Sequence, residues 1–201
     1  MLQICHANYL EDLADQLFLD LSERPSNTLA PELIGVPSQA IADWLSLRMA
    51  SELGVVANVR KLLTAEIIWY LFRLVLPNVP SKNEFSVEVL TWRILECLED
   101  ESFILQHPPI ANYLASGDLH NRWQLARNLG HLYGQYLIYR PDWISLWEDK
   151  ETKDWQGALW KRLVDRSSDR HWLVLHKEMR RLLKRHSHVR EQLPDRISLF
   201  A

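Results

Sequence analysis

The chain has 201 residues, 47% of them hydrophobic and 24% charged, with 23 basic against 26 acidic side chains and a net charge of −3. These values are those of an ordinary folded globular protein, so they exclude a wholly disordered chain, a collagen-like chain and a polycationic nucleic-acid binder. Two cysteines are too few for a disulfide framework or a cysteine-based zinc site. The sequence opens on no secretory leader and has no apolar run of membrane-span length, so we expect a cytoplasmic protein without membrane contact.

The first 63 residues alternate between strand-like and helix-like patterns. An alternating segment at 2–5 and the segment ELIGV at 32–36 predict strands, the second of them largely buried. Leucines at helical spacing between 10 and 21 and an apolar stripe over 41–53 predict helices. Ser38 stands where it would cap the second helix, and Gly54 where that helix would end. Strand, helix, strand, helix with short connections is typical of parallel strands joined by right-handed crossovers.

Helical patterns dominate from Thr64 onward. They predict helices over 64–76, 86–98, through 113–114, over 119–137, and around 155–163 and 172–183. A strand-like segment follows at 196–200, and because a domain seldom ends along an apolar strand we expect a piece of a longer protein. The predicted fold class is α/β but helix-dominated, with a parallel-sheet portion at 1–63, an all-helical portion at 64–190 and the start of a returning strand at 191–201.

Neither predicted turn from strand to helix suits a nucleotide phosphate. A phosphate cradle needs glycines, whose backbone N–H groups can approach the anion, and a lysine to meet its charge. The turns at 6–9 and 36–40 contain neither. The eight histidines show no metal-ligand spacing, and no nucleophile or acid–base pair stands in a catalytic context. We therefore assign no catalytic residue and no metal site.

Two features are compatible with nucleic acid, each beside a structural alternative. Lys177, Arg181 and Lys184 share one helical face, with Arg180, Arg185 and Arg190 beside them, and this stripe would either neutralise phosphates or simply face solvent. In the segment QYLIYRPDW at 135–143, amide, aromatic and arginine side chains alternate at a helix end. Such groups can stack on bases and hydrogen-bond to them, but the same residues also suit core packing followed by a helix stop.

This segment and several others together resemble the RecC family, the gamma subunits of exodeoxyribonuclease V (the RecBCD helicase–nuclease). The similarity runs in order along nearly the whole chain and is strongest at 135–143 and 147–148. The other matching blocks are HAN at 6–8, VPSQAIADWL at 36–45, GVVAN at 54–58, IW at 68–69, VLP at 75–77, WQ at 155–156 and LWK at 159–161. Ordered, tryptophan-rich blocks of this kind are more specific than a short catalytic motif.

The resemblance implies an inactive relative of the superfamily 1 helicases. A 1A-type sheet portion at 1–63 would have lost its ATP site, and a 1B-type helical subdomain would follow at 64–190. Such a subunit would split duplex DNA, guide the 3′-ended single strand and scan it for the recombination hotspot Chi during recombinational double-strand break repair. Its partners would be single-stranded and forked DNA together with RecB-like and RecD-like subunits, which would bind ATP and Mg²⁺ and supply the motor and nuclease activities.

The resemblance also implies a DNA-reading surface, when the family's positions are carried across one by one. Its ten residues would be Pro37, Gln39, Asp43, Leu63, Trp69, His131, Leu132, Gly134, Gln135 and Arg140. The members that match the enterobacterial pattern are Leu63, Trp69, Leu132, Gln135 and Arg140. The other five depart from it, so we expect single-strand passage with a different, or absent, hotspot specificity.

Two other functions remain open at this point. The chain would be a helical protein–protein scaffold if its nine tryptophans served to dock a motor subunit, with DNA contact incidental. It would be an active NTPase if a phosphate site existed, which the glycine-free turns oppose.

Overall fold

The computed structural model describes residues 2–23, 30–81, 83–115, 117–150 and 152–200, and the chain divides into two compact units. The sheet unit comprises residues 1–77 and 179–201, and the helical unit comprises residues 78–178. Within the described ranges, no helix is long and apolar enough to cross a membrane.

Three parallel strands form the centre of the sheet unit. β1 (Glu32–Val36) lies between β2 (Val59–Leu63) and β3 (Ile197–Leu199), with Val36 opposite Leu63 in the register. Three helices of this unit are α1 (Leu10–Glu23), α2 (Gln39–Leu53) and α3 (Thr64–Val75). The predicted strand at 32–36, the predicted helices in these three positions and the parallel arrangement are confirmed.

Two strands differ from the sequence prediction. Residues 2–5 form no strand, and because Leu2 and Ile4 are 84% and 68% exposed, their alternation has no buried face behind it. The strand that pairs with β1 is instead β2. It was not predicted, because its charged Arg60 and Lys61 interrupt the hydrophobic pattern that indicates a strand. β2 pairs with β1 on one side, and its residues are half-buried or exposed, which is the polarity that an edge strand tolerates.

Helices pack directly on the strands of the sheet unit. Phe18 of α1 and Leu45 of α2 are buried in one core cluster with Ile34 of β1. A Cβ at Gly35 would overlap the Ile67 side chain of α3, so the glycine at this position allows α3 to lie against the strand. The sheet unit therefore holds the turns at the ends of its strands in fixed positions.

The helical unit consists of α4 (Val87–Cys97), α5 (Glu101–Gln106), α6 (Pro108–Leu114), α7 (Leu119–Tyr139), α8 (Pro141–Asp149) and α9 (Trp155–Asp165). Helix α10 (Trp172–Arg185) begins in this unit and ends in the sheet unit, which also contains α11 (Ser187–Arg190). The predicted helices at the positions of α4, α6, α7, α9 and α10 are confirmed. The sequence prediction missed α5 and α11, which have only six and four residues. It also missed α8, which begins directly at Pro141 because the fixed φ of proline suits a first helical position.

Aromatic side chains fill the core of the helical unit. Tyr133 and Trp160 are fully buried, with ring centroids 5.3 Å apart. Helices α4 and α7 approach closely at Gly130, where a Cβ would lie 3.0 Å from Thr91 Oγ1 and 3.1 Å from the carbonyl oxygen of Val87. This contact fixes the position of α7, which carries four of the predicted DNA-reading residues.

Candidate nucleic-acid interface

Pro37, Gln39 and Asp43 lie where β1 passes into α2. Pro37 directly follows the strand, Gln39 is the first residue of the helix and Asp43 lies one turn further along it. All three are exposed, and the Gln39 side-chain amide donates a 2.9 Å hydrogen bond to Asp43 Oδ1. An amide and a carboxylate are thus presented at the carboxyl edge of the parallel sheet, which is the edge where α/β proteins bind ligands.

Leu63 reaches the same edge, whereas Trp69 lies further along α3. Leu63 ends β2 opposite Val36; its side chain is exposed and its backbone N–H donates to Glu66 Oε2 at 2.9 Å. Trp69 is half-buried and packs edge-on against Phe72, with ring centroids 5.7 Å apart. Four of the five predicted residues of the sheet unit therefore lie at its carboxyl edge.

The turn between β1 and α2 is a helix cap. Ser38 Oγ accepts a 3.3 Å hydrogen bond from the backbone N–H of Ile41, which confirms the predicted N-cap. The serine thereby occupies an N–H group that a bound phosphate would need, and the turn at 36–40 contains no glycine. This geometry opposes nucleotide binding at the turn.

The four predicted residues on α7 divide between two faces of the helix. His131 and Gln135 are one turn apart and exposed. Leu132 is half-buried against the core of the helical unit, and a Cβ on Gly134 would lie 3.5 Å from Val87 Cγ2 of α4. Of these four residues, His131 and Gln135 present their side chains to solvent, while Leu132 and Gly134 lie on the packed side.

Arg140 joins α7 to α8 and makes two kinds of contact. Its Nε and Nη2 donate to the two carboxylate oxygens of Asp142 at 3.0 and 2.8 Å, and its guanidinium lies 3.6 Å from the ring centroid of Trp143. The hydrogen bonds from Arg140 hold the pKa of Asp142 below its usual value. A phosphate approaching this guanidinium would compete with Asp142, whereas a base would be able to stack on the guanidinium face opposite Trp143.

The segment 135–143 is divided between core and surface. Leu137 is buried, and Tyr136 donates from its hydroxyl to Gln156 Oε1 at 3.2 Å. Ile138 and Tyr139 are instead 64% and 75% exposed. Both interpretations of this segment therefore apply, each to a different side of the helix, and Tyr139 is an exposed aromatic that the carried-over residue set does not include.

A second exposed aromatic feature was not predicted. Trp92 of α4 is 64% exposed, and its ring centroid lies 4.9 Å from that of Trp123 on α7. The nine tryptophans were visible in the sequence, but composition does not distinguish the exposed Trp92 from the fully buried Trp160. The signal available in the sequence would have been whether each of these tryptophans lies on the apolar or the polar face of its helix.

Comparison with known proteins relates the sequence of this chain to one family. The model of the family described as RecC, N-terminal domain, matches residues 2–201. The chain is 34% identical over 178 residues to the RecBCD enzyme subunit RecC of Escherichia coli K12, covering 82% of this chain and 16% of the relative. It is 30% identical over 240 residues to the subunit of the same name from Haemophilus influenzae, covering 100% of this chain and 21% of the relative. The corresponding Mycolicibacterium smegmatis protein is 29% identical over 218 residues. The chain thus spans about a fifth of the length of these relatives, and the resemblance found in the sequence is confirmed.

Proposed function

Because the chain belongs to the family of RecC N-terminal domains, we propose that it is the non-catalytic, DNA-guiding part of a subunit of a RecBCD-type helicase–nuclease. It would help to separate the strands of a duplex, hold the 3′-ended single strand and present it for Chi scanning during double-strand break repair. RecB-like and RecD-like subunits would bind ATP and Mg²⁺ and supply the motor and nuclease activities.

The observation that carries this proposal is the group of side chains at the end of α7. The Arg140 guanidinium over Trp143, with exposed Gln135 and Tyr139 on the preceding turns, combines a stacking platform with an amide able to bond a base edge. Contacts of this kind suit single-stranded nucleic acid, in which the bases are unpaired and accessible.

The carboxyl edge of the sheet supports the non-catalytic part of the proposal. Its first turn is closed by the Ser38 cap and has no glycine, so a nucleoside triphosphate would find no cradle there. The exposed Gln39–Asp43 pair offers hydrogen-bonding groups to a base edge at the same place.

The direct test is a titration of the chain with a single-stranded oligonucleotide, followed by tryptophan fluorescence at two salt concentrations. Arg140→Gln is compared with Arg166→Gln, because these two arginines are 41% and 45% exposed and each is paired with a carboxylate. We expect salt-sensitive quenching that Arg140→Gln weakens roughly tenfold and Arg166→Gln leaves almost unchanged. Equal effects of the two substitutions, or no binding at low salt, would contradict a DNA-guiding role for this surface.

Hotspot specificity is a separate part of the proposal. Five of the ten carried-over residues depart from the enterobacterial pattern, and they are Pro37, Gln39, Asp43, His131 and Gly134. Restoring the enterobacterial residues at these positions in the assembled complex should change its response to a hotspot sequence. An unchanged response would remove the assignment of these positions to hotspot reading while leaving strand guiding intact.

One observation favours the alternative of a protein–protein scaffold. Trp92 is exposed beside Trp123, and exposed aromatic residues are enriched where proteins bind one another. If this pair docks a motor subunit, Trp92→Ala will reduce assembly with that subunit and leave oligonucleotide binding unaffected. If the chain has both functions, Arg140→Gln will instead weaken oligonucleotide binding and leave assembly with the motor subunit unaffected.

A further inference from the structure

The second half of α10 and helix α11 contain an uninterrupted concentration of positive charge. Residues 179–190 hold five of the 23 basic residues of the chain and none of its 26 acidic ones. We call these five residues, Arg180, Arg181, Lys184, Arg185 and Arg190, the α10 basic patch. All five belong to the sheet unit and all are exposed. In a protein whose net charge is negative, such a local excess requires a physical explanation.

The charges of the α10 basic patch are not neutralised by carboxylates within the described part of the chain. Elsewhere in that part, arginines such as Arg48, Arg162 and Arg196 form ion pairs with carboxylates. No member of the patch forms such an ion pair with a described residue. Arg190 instead donates a 2.8 Å hydrogen bond from its Nε to the Leu183 carbonyl oxygen. That bond holds Arg190 against the last turn of α10, the turn that also contains Lys184 and Arg185.

Solvation of a helix face does not by itself account for this arrangement. Arg180 and Lys184, and likewise Arg181 and Arg185, are four residues apart on α10. Like charges at this spacing destabilise a helix by about 0.2–0.5 kcal/mol per pair. The helix dipole favours Lys184 and Arg185 in the last turn, but Arg180 and Arg181 lie before that turn. The repulsion is relieved when an anionic partner covers the patch.

The density of charge indicates which anion fits. The four cations from Arg180 to Arg185 extend along about 7.5 Å of helix axis, given a rise of about 1.5 Å per residue. The four charges are therefore about 2.5 Å apart on average. Duplex DNA carries one phosphate charge per ~1.7 Å of its axis, so it can supply a phosphate for every member of the patch. An extended acidic peptide offers at most one charge per ~3.3 Å. Arginine, which supplies four of the five cations, also matches phosphate with two parallel N–H donors.

A membrane surface is a poorer partner than DNA for the same residues. Helices that bind anionic membranes insert an apolar face beside their basic one. The apolar residues of this half of α10, Met179, Leu182 and Leu183, are half-buried in the protein. The α10 basic patch therefore offers charge without an accessible apolar face.

We propose that the α10 basic patch binds the phosphate backbone of duplex DNA without regard to sequence, as a second DNA site in addition to the candidate single-strand surface. The proposal goes beyond single-strand guiding and is tested on a different ligand. A backbone contact of this kind would hold the duplex in register without reading its bases.

The test measures binding of the chain to a fluorescent 30-base-pair duplex closed at both ends, by anisotropy over a range of salt concentrations. One variant replaces Arg180, Arg181, Lys184 and Arg185 by Gln. The matched control replaces Arg73, Arg127, Lys150 and Lys153 by Gln, which removes the same charge from exposed and dispersed positions. Circular dichroism checks that both variants fold.

We expect the patch variant to lose at least tenfold in affinity and its log–log salt slope to fall by about 3–4, since each phosphate contact contributes about 0.9. The control should retain most of the affinity and slope of the parent chain. Equal losses in both variants, or a parent chain that does not bind the closed duplex, would overturn the proposal. It would also be overturned if the patch variant lost binding to polyglutamate or to phosphatidylserine vesicles but not to the duplex. An unaffected single-strand titration alongside any of these results would show that only the duplex site has failed.

Discussion

Replacing Gly130 by alanine tests the contact that fixes α7 against α4, and Gly134 provides the control on the same helix. A Cβ at Gly130 would lie 3.1 Å from the Val87 carbonyl oxygen, closer than ordinary contacts of 3.4–4 Å. It would also lie 3.0 Å from Thr91 Oγ1, and neither of these two oxygens can easily move away. Val87 is the first residue of α4, and its carbonyl accepts a 2.7 Å hydrogen bond from the Thr91 hydroxyl. At Gly134 the corresponding distance is 3.5 Å, to a methyl group, so an added Cβ fits.

The two substitutions share one energetic contribution and differ in the other. Glycine to alanine in a helix interior stabilises by about 0.5–1 kcal/mol, because alanine has less backbone entropy to lose on folding. Overpacking against fixed neighbours costs about 1–3 kcal/mol and applies to Gly130 alone. We therefore expect Gly134→Ala to stabilise the protein and Gly130→Ala to destabilise it, with a difference in unfolding free energy of about 1–3 kcal/mol.

The difference is measured by thermal unfolding followed by circular dichroism at 222 nm. A shift of 1 kcal/mol moves Tm by roughly 2–4 °C in a chain of this length, so the two variants should differ by roughly 2–12 °C. A Gly130→Ala variant at least as stable as Gly134→Ala would show that α4 yields to the new methyl group. The argument that close helix contact fixes α7 would then be wrong.

Three further predictions concern charge and capping. Asp142→Asn removes the carboxylate that competes for Arg140, so single-stranded DNA should bind up to roughly fivefold more tightly in the same fluorescence titration. Asp100 has its pKa lowered from the ordinary 3.8 to about 2 by hydrogen bonds from Ser102 and Arg162. Its stabilising contribution is therefore complete above about pH 4 and is lost as pH falls toward 2, and Tm of an Asp100→Asn variant should fall less steeply over that interval than Tm of the parent. Ser38→Ala should lower the unfolding free energy by about 0.5–2 kcal/mol in urea denaturation, whereas an unchanged value would mean that the cap contributes nothing.

Arg140 illustrates why a residue set alone does not define a binding surface. The sequence placed Arg140 and Gln135 in one continuous segment, 135–143, and both are accessible in the structure. The structure adds that Asp142 already occupies two guanidinium donors and that Trp143 lies under the charged group. The Arg140 guanidinium therefore binds either Asp142 or an external anion. Salt concentration and the Asp142→Asn substitution will both change how strongly these two compete for it.

Local patterns were sufficient for most of the helices and for the central strand. Helical periodicity and the Ser38 cap depend on residues within one or two turns, so α2, α3, α4 and α7 follow from the sequence with little error. The run at 33–36 is apolar because both of its neighbours and both sheet faces cover it. The ordered blocks at 36–45 and 135–143 were likewise sufficient to recognise the family.

Only the tertiary structure decided which strand lies beside β1, which aromatic residues reach solvent and which cations are neutralised. Residues 2–5 alternate as a strand does but are exposed, whereas β2 carries Arg60 and Lys61 and still pairs because β1 lies beside it. Burial and ion pairing depend on residues distant in sequence, such as Arg93 and the Leu163 carbonyl oxygen to which it donates, 70 positions apart. Periodicity reports the preference of a segment, and the packed neighbours determine whether that preference is realised.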